Sequence, residues 1–384
     1  MKTFISLLGR EFRLFWGNKV LRLLFIGAPL LYAILLGGVY KKGKVTDLPI
    51  IVVDEDRSTM SGKIIDMFED NEVLRVALLK PDETNLTREA IDLEAACIVK
   101  IPKDFEAAVL TKQAPEVLTI VNTSNVLTAN YASGAIQLVL GTLKAGVQME
   151  TLRKQGTPEA LLMASYEPFK TTFIKKYNRS TNYMYFLWPG VLATVLQQVL
   201  LLGLALSFAS EYEAGTFKEL ARKTSLPGMI AVKVLPYLLM SFGIWLIYWA
   251  FTYWYRIPVN ENMGALTLVA GVFVLAVSFM GILVSILIPN QLKATEVLMV
   301  VATPSFILSG FTWPLSQMPG WVQHIAAGIP LTHFLKAFRI LLVEHGQMAQ
   351  VWPAVRGMLW IAAVCGLASM VALYLKRRQV LAAE

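Results

Sequence analysis

The sequence predicts an α-helical integral membrane protein with six transmembrane helices plus an inserted small α/β extracytoplasmic domain. Three observations carry that expectation. Apolar runs of about 20 residues, the length that crosses a bilayer core as a helix, occur once near residues 20–40 and five more times between 183 and 375. A polar stretch with mixed strand-like and helix-like patterning separates the first run from the rest. The composition, 55% hydrophobic and 16% charged with mean hydropathy +0.54, is too apolar and charge-poor for an ordinary soluble protein. The net charge of +8 is not a nucleic-acid footprint. The cations gather at the ends of spans, and no basic stripe is interleaved with aromatics.

Residues 1–20 read as an amphipathic helix. Phe4, Leu7, Leu8, Phe12 and Phe15 recur at helical spacing while Arg10, Arg13 and Lys19 leave that face, which suits a helix lying in the membrane interface; the plainer reading is a charged lead-in. Residues 21–42 form the first span, with a kink expected at Pro29. No small-residue cleavage site follows, so the span is read as an uncleaved anchor.

Residues 43–182 form the inserted domain. LPIIVVD, ACIVKIP and EVLTIVN are compact strand-like runs, and GKIIDMFED and LTREAIDLEA have helical spacing, which together suggest α/β. A long helical stretch from Val126 to about Arg153 reads as a stalk. Asp54, Glu55 and Asp56 could take a cation, but such a cluster is more often a solvated turn or the cap of the next helix, with Ser58 placed to help. The Asn85 acceptor sequence has meaning only in a eukaryotic secretory route. Cys97 in this domain and Cys365 in the last span face different environments, so no intramolecular disulfide is expected.

The later spans are read at 183–209, 230–255, 265–288, 294–311 and 355–375. Residues 313–343 are half apolar but broken by Pro314, Pro319, Gly320, Gly328 and Pro330, too interrupted to span and too apolar for a plain loop. Two short helices that dip into the membrane and return fit this pattern. An even number of spans puts both termini on one side. That side carries Lys2, Arg10, Arg13, Lys19, Arg22, Lys218, Arg222, Lys223, Lys233, Lys293, Lys376, Arg377 and Arg378, against Arg256, Lys336, Arg339 and Arg356 in the short loops opposite. The positive-inside bias makes the termini cytoplasmic. Lys41, Lys42, Lys44, Lys170, Lys175, Lys176 and Arg179 flank the inserted domain, but long translocated domains weigh little in this rule.

Catalytic chemistry is thin. No segment resembles the phosphate-cradling GxxxxGK[ST] loop, and Gly62-Lys63 lacks both the upstream glycine and the Ser/Thr. His324, His333 and His345, with Glu344, could ligate zinc, yet their spacing matches no zinc motif and such histidines usually bond backbone or water. No hydroxyl nucleophile with a base is identifiable. Glu296, about one turn into the fifth span, is either a functional buried acid or one reaching the interface. The most pointed segment is 211–222. Glu211 and Glu213 open a helical pattern, Gly215 permits close backbone approach, Leu220 supplies an apolar contact, and Arg222 and Lys223 close it before Pro227-Gly228. A short charged helix tethered between two spans can act as a lever; the plainer alternative is an amphipathic loop helix on the headgroups.

In SFASEYEAGTFKEL, LSGFTWPLSQMPGWVQHIAAGIPLTHFLKAFRILLVEHG, IPKDFEAAVLTKQAPEVLTIVNTSN and NYMYFLWPGVLA, the chain resembles a type-2 ABC exporter permease, in the branch with a large extracytoplasmic insertion after the first span. The match extends over nearly the whole chain and rests on the order of the motifs. Ala214 and Tyr212 depart from the charged residues usual at those positions. The resemblance implies an export permease of the bacterial inner membrane for an amphipathic, drug-like or lipid-linked substrate. Its partners would be separate cytoplasmic ATPase subunits that bind ATP and Mg, a second permease (identical or paralogous), membrane lipids and a periplasmic adaptor. It assigns ATPase coupling to Glu211, Glu213, Gly215, Thr216, Lys218, Glu219 and Leu220, and a re-entrant gate to Pro314, Met318, Pro319, Pro330 and Arg339. No catalytic, cofactor or metal site is expected in this chain. Two other readings stay open: a non-transporting anchor whose external domain binds an envelope partner, and an intramembrane enzyme, disfavoured by the lack of an acid–base pair in the spans.

Overall fold

In the computed structural model, which describes residues 2–159, 161–162, 172, 174–258 and 263–382, the chain divides into two compact units. One comprises Met1–Gly43 with Lys175–Glu384, the other Lys44–Ile174. Lys170, counted above among the flanking cations, lies outside the described residues.

Helix α1 (Lys2–Gly17) ends where Asn18 turns extended and accepts from the amides of Val20 and Leu21, capping the next helix. That helix, α2 (Lys19–Val39), passes through one π-helical stretch at Leu23–Gly27 just ahead of Pro29. The irregularity expected at the proline is therefore a local widening of the preceding turn, which accommodates a ring with no N–H to donate.

The inserted unit holds strands β1 (Leu48–Asp54), β2 (Leu74–Lys80), β3 (Cys97–Ile101) and β4 (Leu118–Val121). Helices α3 (Thr59–Glu69), α4 (Leu86–Asp92) and α5 (Phe105–Leu110) lie between them, and α6 (Val126–Lys154) follows. The sheet order is β2-β1-β3-β4, the first three parallel and β4 antiparallel. β1 is buried on both faces, as a central parallel strand must be. Ile50 and Val52 face a core closed by Ile64 and Phe68 of α3 and by Ala132, Ala135, Ile136 and Val139 of α6. The first half of the stretch expected as a stalk, from Ala129 to Leu143, is packed on its own sheet. The acidic cluster after β1 is turn chemistry. Asp54 accepts from the amides of Asp56 and Arg57 and from the Ser61 hydroxyl, Asp56 accepts from the Glu106 amide, and Ser58 and Ser61 form a reciprocal cap on α3.

The first unit resumes with α7 (Tyr183–Glu213), α8 (Phe217–Lys223), α9 (Leu226–Trp254), α10 (Met263–Leu287), α11 (Gln291–Leu308), α12 (Gly320–Ala327), α13 (Pro330–Val343) and α14 (Met348–Ala382). The amide of Tyr183 donates to the carbonyl of Gly43, 2.6 Å, so α7 starts beside the end of α2. Seven helices among the described residues are long and apolar enough to cross a membrane: α2, α6, α7, α9, α10, α11 and α14. The seventh, beyond the six expected, is α6. Helices α12 and α13 meet at 87° and together would count as one further broken span.

α7 is the most buried of these helices, and its neighbours bond to its backbone. Trp188 Nε1 donates to the Ala33 carbonyl of α2 (3.0 Å), and the Tyr237 and Tyr248 hydroxyls of α9 donate to the Gly203 (2.9 Å) and Leu192 (3.3 Å) carbonyls. From α10, the Ser285 hydroxyl accepts from the amides of Phe208 (2.9 Å) and Ala209 (3.0 Å) and donates to the Ala205 carbonyl (2.7 Å). In a medium that supplies no water, such bonds and close approach at small residues hold helices together. A Cβ on Gly281 of α10 would lie 2.9 Å from Leu204 Cβ.

Candidate functional site

The segment after α7 owes its shape to one glycine. Gly215 adopts a left-handed φ of 69°. Its amide reaches the Tyr212 carbonyl (3.2 Å), and the Thr216 amide reaches that of Glu211 (3.0 Å), the paired bonds of a Schellman stop. A Cβ there would meet nothing within 4 Å, so backbone conformation, not crowding, is what suits glycine. The single helix expected over 211–222 is corrected accordingly: Glu211 and Glu213 finish α7, and α8 starts at Phe217.

α8 has two distinct faces. Phe217, Leu220 and Ala221 are buried, and the helix touches α7, α9 and α14. Lys376 of α14 lies 5.7 Å over the Tyr212 ring, which in turn leans on Phe217 at 4.7 Å. Glu219, Arg222 and Lys223 are exposed and Lys218 is half-buried; Glu219 pairs with Lys223 one turn on. The result is a short helix whose inner face is clamped and whose outer face is charged.

Behind it lies a cluster of four charges, with Glu211 and Lys233 buried and Arg10 and Glu11 part-buried. Lys233 Nζ donates to Glu211 Oε1 (2.7 Å) and to both carboxylate oxygens of Glu11 (2.9 Å each), and Arg10 Nη2 donates to both oxygens of Glu211 (2.8 and 2.9 Å). The Thr216 hydroxyl also donates to Glu211. Lys233 and Glu211 are 1% and 2% exposed, so each charge depends on its partners in place of water. Two cations face two anions, and the cluster is neutral as a set. Burial pushes the Glu11 carboxyl above its ordinary range, with the Lys233 ammonium pulling the other way. The cluster joins α1, α7 and α9, and through Thr216 it also holds the turn into α8.

Glu213 has a separate task. It accepts from the Gln291 amide (2.9 Å), from Asn290 Nδ2 (3.1 Å) and from the Gln291 side chain. Its carboxylate therefore sits at the N-terminus of α11, where the free amides and helix dipole favour an anion. Of the seven residues in the coupling group, Glu211, Glu213, Gly215 and Thr216 build the joint, Leu220 seats α8, and Lys218 and Glu219 belong to its outer part.

The second group does not converge on one point. Pro314 and Pro319 are exposed and Met318 is half-buried. Pro319 precedes α12 and Pro330 opens α13, the position where a missing N–H costs nothing. Arg339 reaches back to the segment between α11 and α12: its Nη2 donates to the Phe311 carbonyl (2.9 Å), and its guanidinium lies 5.1 Å from the centre of the Phe311 ring. His324 and His333 bond the carbonyls of Gly320 and Ala327. Among the described residues no three of His, Cys, Asp and Glu converge as a metal set.

Arg10, Glu11 and Lys233 were not singled out as site residues from the sequence. Lys233 falls three residues inside the span read from Ile230, yet it was counted only as one of the cations of the terminal side. The available signal was its setting in MIAVKVLP, a lysine one turn inside an apolar run, where an ionisable group calls for a named partner.

The family model described as ABC-2 family transporter protein matches residues 19–371. The chain is 26% identical over 341 residues to the probable multidrug ABC transporter permease YbhR of Escherichia coli, covering 85% of this chain and 86% of that one. It is 21% identical over 327 residues to the inner membrane transport permease YhhJ of the same organism, 81% of each chain. To ABC transporter G family member 20 of Dictyostelium discoideum it is 24% identical over 215 residues, 54% of this chain and 28% of that protein. With α7 and its neighbours long and apolar enough to cross a bilayer, and with a family match over most of its length, the chain belongs to the ABC-2 transporter family and is a multi-pass transmembrane subunit of an ABC transporter.

Proposed function

We propose that this subunit is an export permease of the bacterial inner membrane that takes its driving force from separate cytoplasmic ATPase subunits, which bind the ATP and Mg, and works alongside a second permease. The observation that carries this reading is the mounting of α8: its inner face is clamped on α7, α9 and α14, and both of its ends run into membrane-length helices. A push on its outer face must move those helices together, because packed interiors respond as blocks and do not yield locally. Glu211 and Glu213 are engaged inside the chain, so the ATPase contact falls to the α8 face bearing Lys218, Glu219, Arg222 and Lys223.

In this reading α6 stays with the insertion, because its apolar side is used on the sheet, and six spans remain. Both termini and α8 are cytoplasmic and residues 43–182 are external, where a periplasmic adaptor would meet them. Residues 313–343 fold back into the membrane as an outer gate, an arrangement supported by the 87° bend between α12 and α13. The cargo is amphipathic and drug-like or lipid-linked. That class is supported by the multidrug description of the YbhR relative and by a cleft bordered by Trp188, Trp245, Tyr248, Trp249, Phe273 and Phe334, since aromatic apolar walls suit such ligands.

Copurification tests the reading. The tagged permease should bring down an ATPase whose turnover is vanadate-sensitive and responds to amphipathic cargo. Recovery of an envelope protein with no ATPase would replace the exporter by an anchor.

A further inference from the structure

The inserted unit carries a groove that the transport reading does not use. It has a volume of about 480 Å³ and runs between α5, the segment 111–117 and α6. Met60, Phe105, Val109, Val117, Leu140 and Val147 line its floor. The α6 side, from Leu140 to Thr151, keeps one helical face over three turns, about 16 Å of axis at 1.5 Å per residue. Lys112 and Lys144 are exposed at its edge; among the described residues neither carries an ion pair, and no acidic residue lines the groove.

We propose that this groove binds a single-chain anionic amphiphile, its alkyl chain on the apolar floor and its head group beside Lys112 and Lys144. Charge complementarity fixes the sign of the head: two lysines without a carboxylate partner favour an anion and repel a cation. The nature of the floor fixes the tail. An extended peptide laid along α6 would need partners for its own amides and carbonyls, and that wall, whose backbone bonds are spent within the helix, offers none. An alkyl chain needs only apolar contact. The inference concerns the inserted unit by itself and holds whether or not the amphiphile is the exported cargo.

The test uses the full chain in phosphatidylcholine nanodiscs with a photoactivatable palmitic acid carrying a diazirine in its tail, the adducts being mapped by mass spectrometry. Adducts are expected on the residues lining the groove, displaced by palmitate but not by hexadecanol or a quaternary ammonium amphiphile of equal chain length. Lys112→Gln with Lys144→Gln, two surface changes that leave the core intact, should reduce groove labelling by about tenfold, the loss expected on removing charge-assisted contacts. Val147→Trp should block it by filling the floor, with circular dichroism confirming the fold. Adducts confined to the membrane-length helices of the other unit, displacement indifferent to head-group charge, or displacement by an acidic amphipathic peptide where palmitate fails would each overturn the proposal.

Discussion

Lys233 and Glu211 meet at 2.7 Å from opposite sides of α8: one follows the helix in sequence, the other precedes it, 22 residues apart. Their ion pair is a clasp that closes the loop holding the lever. Because Glu11 and Arg10 complete the same cluster, helix α1 is fastened to the joint as well.

Lys233→Met should be among the most damaging single changes in the protein. It leaves Glu11 and Glu211 buried with only Arg10 to balance them, and breaking such a pair costs about 3–5 kcal/mol. Adding Glu11→Gln restores neutrality and should recover a large part of that loss. Thermal unfolding of the single and double variants in detergent checks this; equal loss in both would show that the cluster is not acting as a balanced set.

Gly215→Val and Gly215→Asn should part company. Both add a side chain, but asparagine tolerates left-handed backbone and valine does not. Valine is expected to cost about 1–2 kcal/mol and to unlink ATP turnover from export, while asparagine stays near wild type. If asparagine fails as badly as valine, a close approach by a partner, not backbone geometry, is what needs the glycine.

Glu213→Ala removes the carboxylate at the start of α11. A lost helix cap costs typically about 1 kcal/mol, so a modest drop in thermal stability is expected while the ATPase is still retained on copurification. Glu219→Arg with Lys223→Glu reverses an exposed pair whose own worth is small. That variant should stay stable yet shed the ATPase. The opposite pattern would return the docking surface to Glu213.

Cys97 should be nearly inert to maleimides at neutral pH. Burial pushes its thiol up to about 11, and the thiolate is the reactive species. Labelling of the folded protein should therefore accelerate with pH by about tenfold per unit well below that value. Fast labelling at pH 7 would mean that β3 opens.

Sidedness is checked in a background lacking Cys97 and Cys365, with single cysteines at Ser124 and Lys223. A membrane-impermeant reagent on intact cells should reach the first and not the second. Labelling of both would overturn the proposed topology.

The membrane-length helices were legible because long apolar runs leave few alternatives, and β1, β3 and β4 because their branched residues are compact. β2, LRVALLK, was missed: its leucines, alanine and lysine suit a helix as well, and a half-exposed edge strand lacks the dense apolar signature of a central one. The end of α7 was misjudged for a different reason. Helical periodicity runs on through Glu211 and Glu213, and only the sign of φ at Gly215 tells a helix that continues from one that stops. The charge cluster was the least legible part. Arg10 and Glu11 stand more than 200 positions from their partners, and no local pattern encodes a contact at that distance.

Ser285 gives α7 a property that its length conceals. At residues 205–209 the hydroxyl of a different helix takes up two amides and one carbonyl of the α7 backbone, so this turn is spliced to α10 rather than supported by its own ladder alone. A long rod driven from one end would transmit motion along its axis. Spliced here, α7 hands part of any displacement sideways at that point, and the helix nearest the lever in sequence need not be the one that travels farthest.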